Sequence, residues 1–218
     1  MSISLISTAQ SNNPYSDFGS DYIESVNKIV GDIQENGFLG NDEAGLQHYQ
    51  SLCMVDVQIN PSIADEVYNL SNTAGLNFVD YINSVSNVSQ EAKDFTIQIV
   101  QNLDGLSLTE KVAYYADLVD QINGSSLVDE EKEMNLKLIS IAVYAYQNNL
   151  PGGEQNASRN NNNACTIEGP EGSGSANATT CVILAAGLGF YAGFQVCGGW
   201  CGVGGAIVFG VLTAIAVC

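Results

Sequence analysis

The chain has 218 residues and a formal charge of −18, with 24 acidic side chains against 6 basic ones. That length suffices for one or two domains with a buried core. So few cations exclude a nucleic-acid binder, which must displace phosphate counterions with clustered Lys and Arg, and they leave anionic lipid headgroups repelling the acidic part.

The charge is unevenly placed. Residues 1–150 hold 21 of the acidic and 5 of the basic side chains, and no side chain after Glu171 is charged. The opening, Met1 to Gln10, lacks a basic n-region, and Ile3 to Ile6 is too short for an apolar h-region, so no secretory signal peptide is expected there. Ser20-Asp21 precedes Tyr22, Ile23, Val26, Ile29, Val30 and Ile33. Their 3-4 spacing predicts a helix that ends at Gly37 and Gly40. Asn41-Asp42 is placed to cap a short helix through Leu46, Tyr49 and Leu52. Asn60-Pro61 predicts another start, with Pro at the first helical position.

Ser107-Leu108-Thr109-Glu110 reads as a capping box, in which Ser and Glu satisfy each other's free backbone donors. It opens a helix with Leu108, Val112, Tyr115, Leu118, Val119 and Ile122 facing inward, closed by Asn123-Gly124. Leu127 to Gln147 begins with Asp129, Glu130, Glu131, Lys132 and Glu133, solvated first turns whose negative charge suits the helix dipole. It ends with Leu138, Ile139, Ile141, Ala142, Val143 and Tyr144 as a buried central helix. Little strand alternation is present. The fold class is therefore all-α: an acidic helical bundle over 1–150, a flexible linker over 151–180 and a C-terminal apolar helical hairpin over 181–218. Asn148 to Gly153 stops the last bundle helix. The Asn160 to Asn163 run and the stretch from Gly172 to Thr180 bury too little to order themselves.

The tail, Cys181 to Cys218, is 38 residues long. One straight helix of that length runs roughly 57 Å, against a hydrocarbon core of about 30 Å. Gly198-Gly199 offers a turn near the middle, and each resulting arm approaches the span of a bilayer. Cysteines mirror one another about that turn, Cys181 against Cys218 and Cys197 against Cys201, which suggests nested disulfides. Four cysteines allow three pairings, and reduced apolar fillers are the alternative. Cys53 and Cys165 are left over. Small residues recur at every fourth place, as Ala185, Gly189, Gly193, Cys197, Cys201, Gly205 and as Gly198, Gly202, Ala206, Gly210, Ala214, Cys218. Such ridges let helices approach closely in lipid, within one hairpin or between copies. Trp200 and Tyr191 are candidates for a membrane interface, although Tyr191 falls mid-arm. Gln195 is the one strongly polar side chain in the arms, either an inter-helix donor or a surface residue near the turn.

Catalytic patterns are missing. His48 stands alone without ligand partners at metal spacing. There is no Gly-x-Ser-x-Gly elbow, phosphate loop or calcium loop, and Cys197-x-x-x-Cys201 is not a thioredoxin-type motif. No enzyme, cofactor or metal is expected.

The tail, with Cys165, Cys181, Cys197, Cys201 and Cys218 set among Gly, Ala, Val and Ile, resembles the toxin part of halocin-type and related bacteriocin precursors. In those, a long acidic region precedes a compact apolar peptide. Asn13-Pro14-Tyr15-Ser16-Asp17-Phe18-Gly19 is similar to the Asn-Pro-Tyr-Asp-x-x-Gly opening of uncharacterised bacterial proteins with Gly-rich tails. The resemblance implies a precursor whose hairpin inserts into or permeabilises a lipid bilayer while the acidic domain masks it. A second possibility is a membrane-anchored interaction protein with an unknown protein partner and the hairpin as anchor only. A third has the tail folded against the bundle. The first two imply a membrane-associated protein, or one secreted without a classical signal peptide.

Overall fold

A computed structural model describes residues 12–40, 42–73, 76–101, 103, 105–148, 178–197 and 199–217. The chain is all-α. Among the described residues nine helices follow one another: α1 Phe18–Asn36, α2 Glu43–Leu52, α3 Pro61–Ser71, α4 Phe78–Ser84, α5 Gln90–Val100, α6 Leu108–Gly124, α7 Asp129–Gln147, α8 Ala178–Cys197 and α9 Gly199–Val217.

Local chemistry sets most of the helix starts. Asp42, Asn60, Asn77, Ser89 and Ser107 each accept a hydrogen bond from a backbone N–H of the first turn of α2 to α6. Such bonds supply partners that the helix itself cannot. The box at Ser107 and Glu110 is complete in both directions, and those bonds hold the Glu110 carboxyl below its ordinary range. Pro61 opens α3 at its first turn. Gly37 ends α1 at φ +81°, a positive value that favours glycine, and its N–H caps the Ile33 carbonyl.

α1 begins at Phe18, earlier than the apolar spacing suggests, because Gly19 lies directly on α7. The Gly19 N–H donates to Ser140 Oγ at 2.8 Å, and a Cβ there would stand 2.6 Å from the Ser140 carbonyl carbon. The Ser140 hydroxyl in turn donates a hydrogen bond to the Ser16 carbonyl at 2.8 Å. α7 packs against α1, α5, α6, α8 and α9, and its second half is buried on nearly every side.

Three details depart from the sequence expectations. Leu108 is 40% exposed, since it occupies the first turn of α6 before that helix reaches the core. Glu131, expected in solvent, is 6% exposed, and its carboxylate accepts the Ser89 N–H at 2.6 Å and the Ser89 hydroxyl at 2.9 Å. It thereby ties the start of α7 to the start of α5. The helices α4 and α5 carry no distinctive sequence spacing and were not anticipated.

A hydrophobic core runs without a break from Tyr22 in α1 through Ile63, Phe78, Ile99 and Leu138 to Leu184, Tyr191 and Ile207 in α8 and α9. The apolar tail therefore shares the core of the acidic bundle.

Candidate functional site: an apolar hairpin enclosed by acidic helices

α8 and α9 contain no charged side chain. They lie antiparallel, as the pairing of their glycines requires. A Cβ on Gly189 would stand 2.5 Å from the Ala206 Cα and would strike the Gly205 carbonyl. One on Gly193 would meet the Cys201 backbone, and one on Gly205 would stand 2.8 Å from the Gly193 nitrogen. Gly189, Gly193, Cys201 and Gly205 of the first row therefore bring the arms together, with Ala206 of the second row at the same seam; Ala185 is buried. Cys197 and Cys201 are disulfide-bonded across the turn, with Cα atoms 5.8 Å apart.

The other small residues face different neighbours. A Cβ on Gly202 would lie 3.2 Å from the Phe190 ring, within the hairpin. Gly210 sits beneath the Tyr22 side chain of α1, Gly204 against the Gln58 carbonyl, and Gly187 against the Phe78 ring of α4. The small residues thus admit the bundle as well as the opposite arm. Gly199 opens α9, while Gly198, the other turn residue, lies outside the described residues. Cys181 is disulfide-bonded; the expected partner Cys218 and the leftover Cys165 lie outside the described residues, as do the side chains of Ala214 and Trp200.

Thr179–Cys197 is the one helical stretch among the described residues that is long and apolar enough to cross a membrane, and 78% of it is buried inside the protein. The described apolar part of α9, Cys201–Leu212, is shorter. From Thr180 to Phe194 every residue but Val182 is buried.

Polar contacts fix the hairpin in its sheath. Tyr22 in α1 donates its hydroxyl to the Ala206 carbonyl at 3.1 Å. Asn87, just before α5, donates its side-chain amide to the Phe194 carbonyl at 2.8 Å. That carbonyl belongs to the last turn of α8. The Tyr191 hydroxyl meets Thr96 Oγ1 of α5 at 3.0 Å, and Thr96 bonds Asn135 Oδ1 of α7 at 2.8 Å. Asn135 in turn donates to the Glu131 carbonyl at 3.0 Å. Tyr191 is thus buried against the bundle, where a mid-arm hydroxyl facing lipid would lack a partner. Gln195 is exposed near the turn and accepts from the Tyr81 hydroxyl at 3.5 Å.

Reactive chemistry is sparse. His48 Nε2 lies 3.0 Å from the Asp32 carboxylate, joining α2 to α1. Burial pushes the Cys53 thiol up to about 11, away from the thiolate form that reacts. Among the described residues no three His, Cys, Asp or Glu side chains gather as a metal site. The chain matches no family model, no curated protein and no solved structure.

Sequence reasoning read the tail as apolar helix, but it missed the tethering roles of Tyr22, Asn87, Thr96 and Asn135. Tyr191 was the available signal: a hydroxyl in the middle of an apolar arm requires a polar partner from elsewhere in the chain.

Proposed function

We propose that the protein is a bacteriocin-like precursor that carries a membrane-active hairpin, α8 with α9, inside a sheath made from its own acidic helices. One observation supports this most: the apolar faces that would meet acyl chains are the faces that the bundle covers. Enclosure keeps them from water, and the sheath's negative surface keeps the intact chain dispersed. Release exchanges this protein interior for a bilayer interior, two environments of similar polarity. The hairpin's internal seam needs no water-exposed partner, so it can survive the transfer. Self-association of released hairpins would follow, through the ridge position Gly210 and the further glycines Gly187 and Gly204 that the bundle vacates.

The same enclosure favours a second reading, in which the hairpin is permanent core and the long apolar helix serves folding alone. A protease site placed in the 160–163 Asn run separates the two. The intact, oxidised protein is expected to leave dye-loaded vesicles sealed, and cleavage at micromolar concentration is expected to release the dye. Sealed vesicles after complete cleavage would sink the precursor reading. Recovery of native chain uncleaved in the membrane fraction would instead support the anchor, with the bundle recruiting a protein partner.

A further inference from the structure

We infer that the loop at 37–40 is a lipid-contacting tip, through which the intact chain docks on zwitterionic bilayers beside the half-buried later turns of α9. The loop joins α1 to α2 and carries Phe38 and Leu39, which are 58% and 47% exposed. It is a built feature. Gly37 and Gly40 flank the pair at φ +81° and +100°, values that other residues rarely adopt. Gly45 closes on the Gly40 carbonyl, where a Cβ would stand only 2.7 Å away. Phe38 stacks on Tyr49 with ring centres 6.0 Å apart, and the Leu39 N–H donates to the Tyr49 hydroxyl at 2.8 Å. The chain thus holds two large apolar side chains outward on a fixed loop.

Beneath the tip lies an apolar cleft bounded by Ile29, Ile33 and Leu46 from the sheath and by Val208, Val211 and Leu212 from α9. Val208, Gly210 and Leu212 are half-buried, whereas Cys201 to Ile207 are covered throughout. The tip therefore stands beside the part of the second arm that the sheath covers least among its described residues.

Size and charge select a lipid surface as the partner. The exposed parts of Phe38 and Leu39 amount to on the order of 200 Å², far below the ~800 Å² per partner of a stable protein interface. They suit insertion of two side chains among headgroups. Residues 37–40 are uncharged, while Glu35, Asp42 and Glu43 flank them in solvent, so an anionic leaflet is disfavoured and a zwitterionic one is not.

This takes its choice of partner from the membrane reading above, yet it is tested on the intact chain. Uncleaved protein is floated with phosphatidylcholine vesicles, and with vesicles containing phosphatidylglycerol at low salt. We expect partition into phosphatidylcholine, weaker partition into the anionic vesicles, and at least a tenfold loss in the Phe38→Ser/Leu39→Ser variant with unchanged helicity. If that variant unfolds, Leu39→Ser alone, which keeps the Phe38–Tyr49 stack, is expected to lose at least threefold. Absent partition, equal partition of the folded variant, or a dimer that the substitutions abolish would each overturn the inference. Partition of the intact chain without leakage after cleavage sinks the precursor alone, whereas leakage after cleavage without partition of the intact chain sinks the docking tip alone.

Discussion

At the scale of single residues, glycine has opposite consequences at two helical positions. Gly189 in α8 faces the Gly205 carbonyl and the Ala206 backbone, so one added methyl group forces the arms apart. Gly31 in α1 has nothing within 4 Å of the place a Cβ would occupy. Gly189→Ala is expected to cost about 1–3 kcal/mol through overpacking. Gly31→Ala is expected to gain about 0.4–1 kcal/mol by restricting the unfolded chain. Urea midpoints of the two variants read this directly, and shifts of the same sign would contradict the packing described. The sequence distinguishes the two glycines, because Gly189 stands in a four-residue repeat of small residues and Gly31 does not. What the repeat cannot reveal is the neighbour: Gly189 meets an arm of the hairpin, whereas Gly210 meets Tyr22 from a helix almost the whole chain away.

At the scale of elements, buried tyrosine hydroxyls that bond one helix to another link stability to pH. Burial raises the Tyr22 hydroxyl above its ordinary value of 10.0, and it raises Tyr115, which donates to the Ile99 carbonyl at 3.0 Å, well above that value. Both stay protonated in the folded chain after an unfolded chain has begun to lose these protons. Their contribution is therefore fully present below pH 10.0. It falls as pH rises from there towards the folded values, by about 1.4 kcal/mol per pH unit for each group. Urea unfolding between pH 9 and 11.5 is expected to show this decline. Tyr22→Phe should flatten it while lowering stability at pH 8 by about 0.5–1.5 kcal/mol, the usual worth of one hydrogen bond. An equally steep decline in a Tyr22→Phe/Tyr115→Phe variant would count against these two groups as its cause. Of the elements themselves, α1, α2, α3, α6 and α7 were legible from caps and apolar spacing, and α8 and α9 from their lack of charge. α4 was not, since its seven residues span barely two turns. α5 carries Lys93 and Thr96 on its buried face, and polar residues there blur the periodicity that apolar ones would show.

For the whole molecule, charge and core pull in opposite directions. Among the described residues three close pairs set a basic group against a carboxylate, so most of the net −18 is repulsion that folding concentrates. Salt shortens its range from about 10 Å at 0.1 M to about 3 Å at 1 M. The melting temperature followed by circular dichroism is therefore expected to rise between about 0.05 M and 1 M sodium chloride. A flat response would mean that surface repulsion contributes little. Composition made this tension visible, but it did not reveal that both halves share one core. An apolar helix that crosses a membrane and one that fills a protein have the same residues, and only the partners of Tyr191 and Gly210 tell them apart. That shared core also bears on biosynthesis. Tyr22 and Ala206 meet across 184 positions, so α1 reaches the ribosome exit long before its partner. Until α8 and α9 emerge, the bundle is a cup without its filling, with Ile63, Phe78 and Leu138 facing water or a chaperone. Closure of so distant a contact is slow, and a nascent chain arrested before residue 178 presents an open apolar interior to its neighbours on the same messenger.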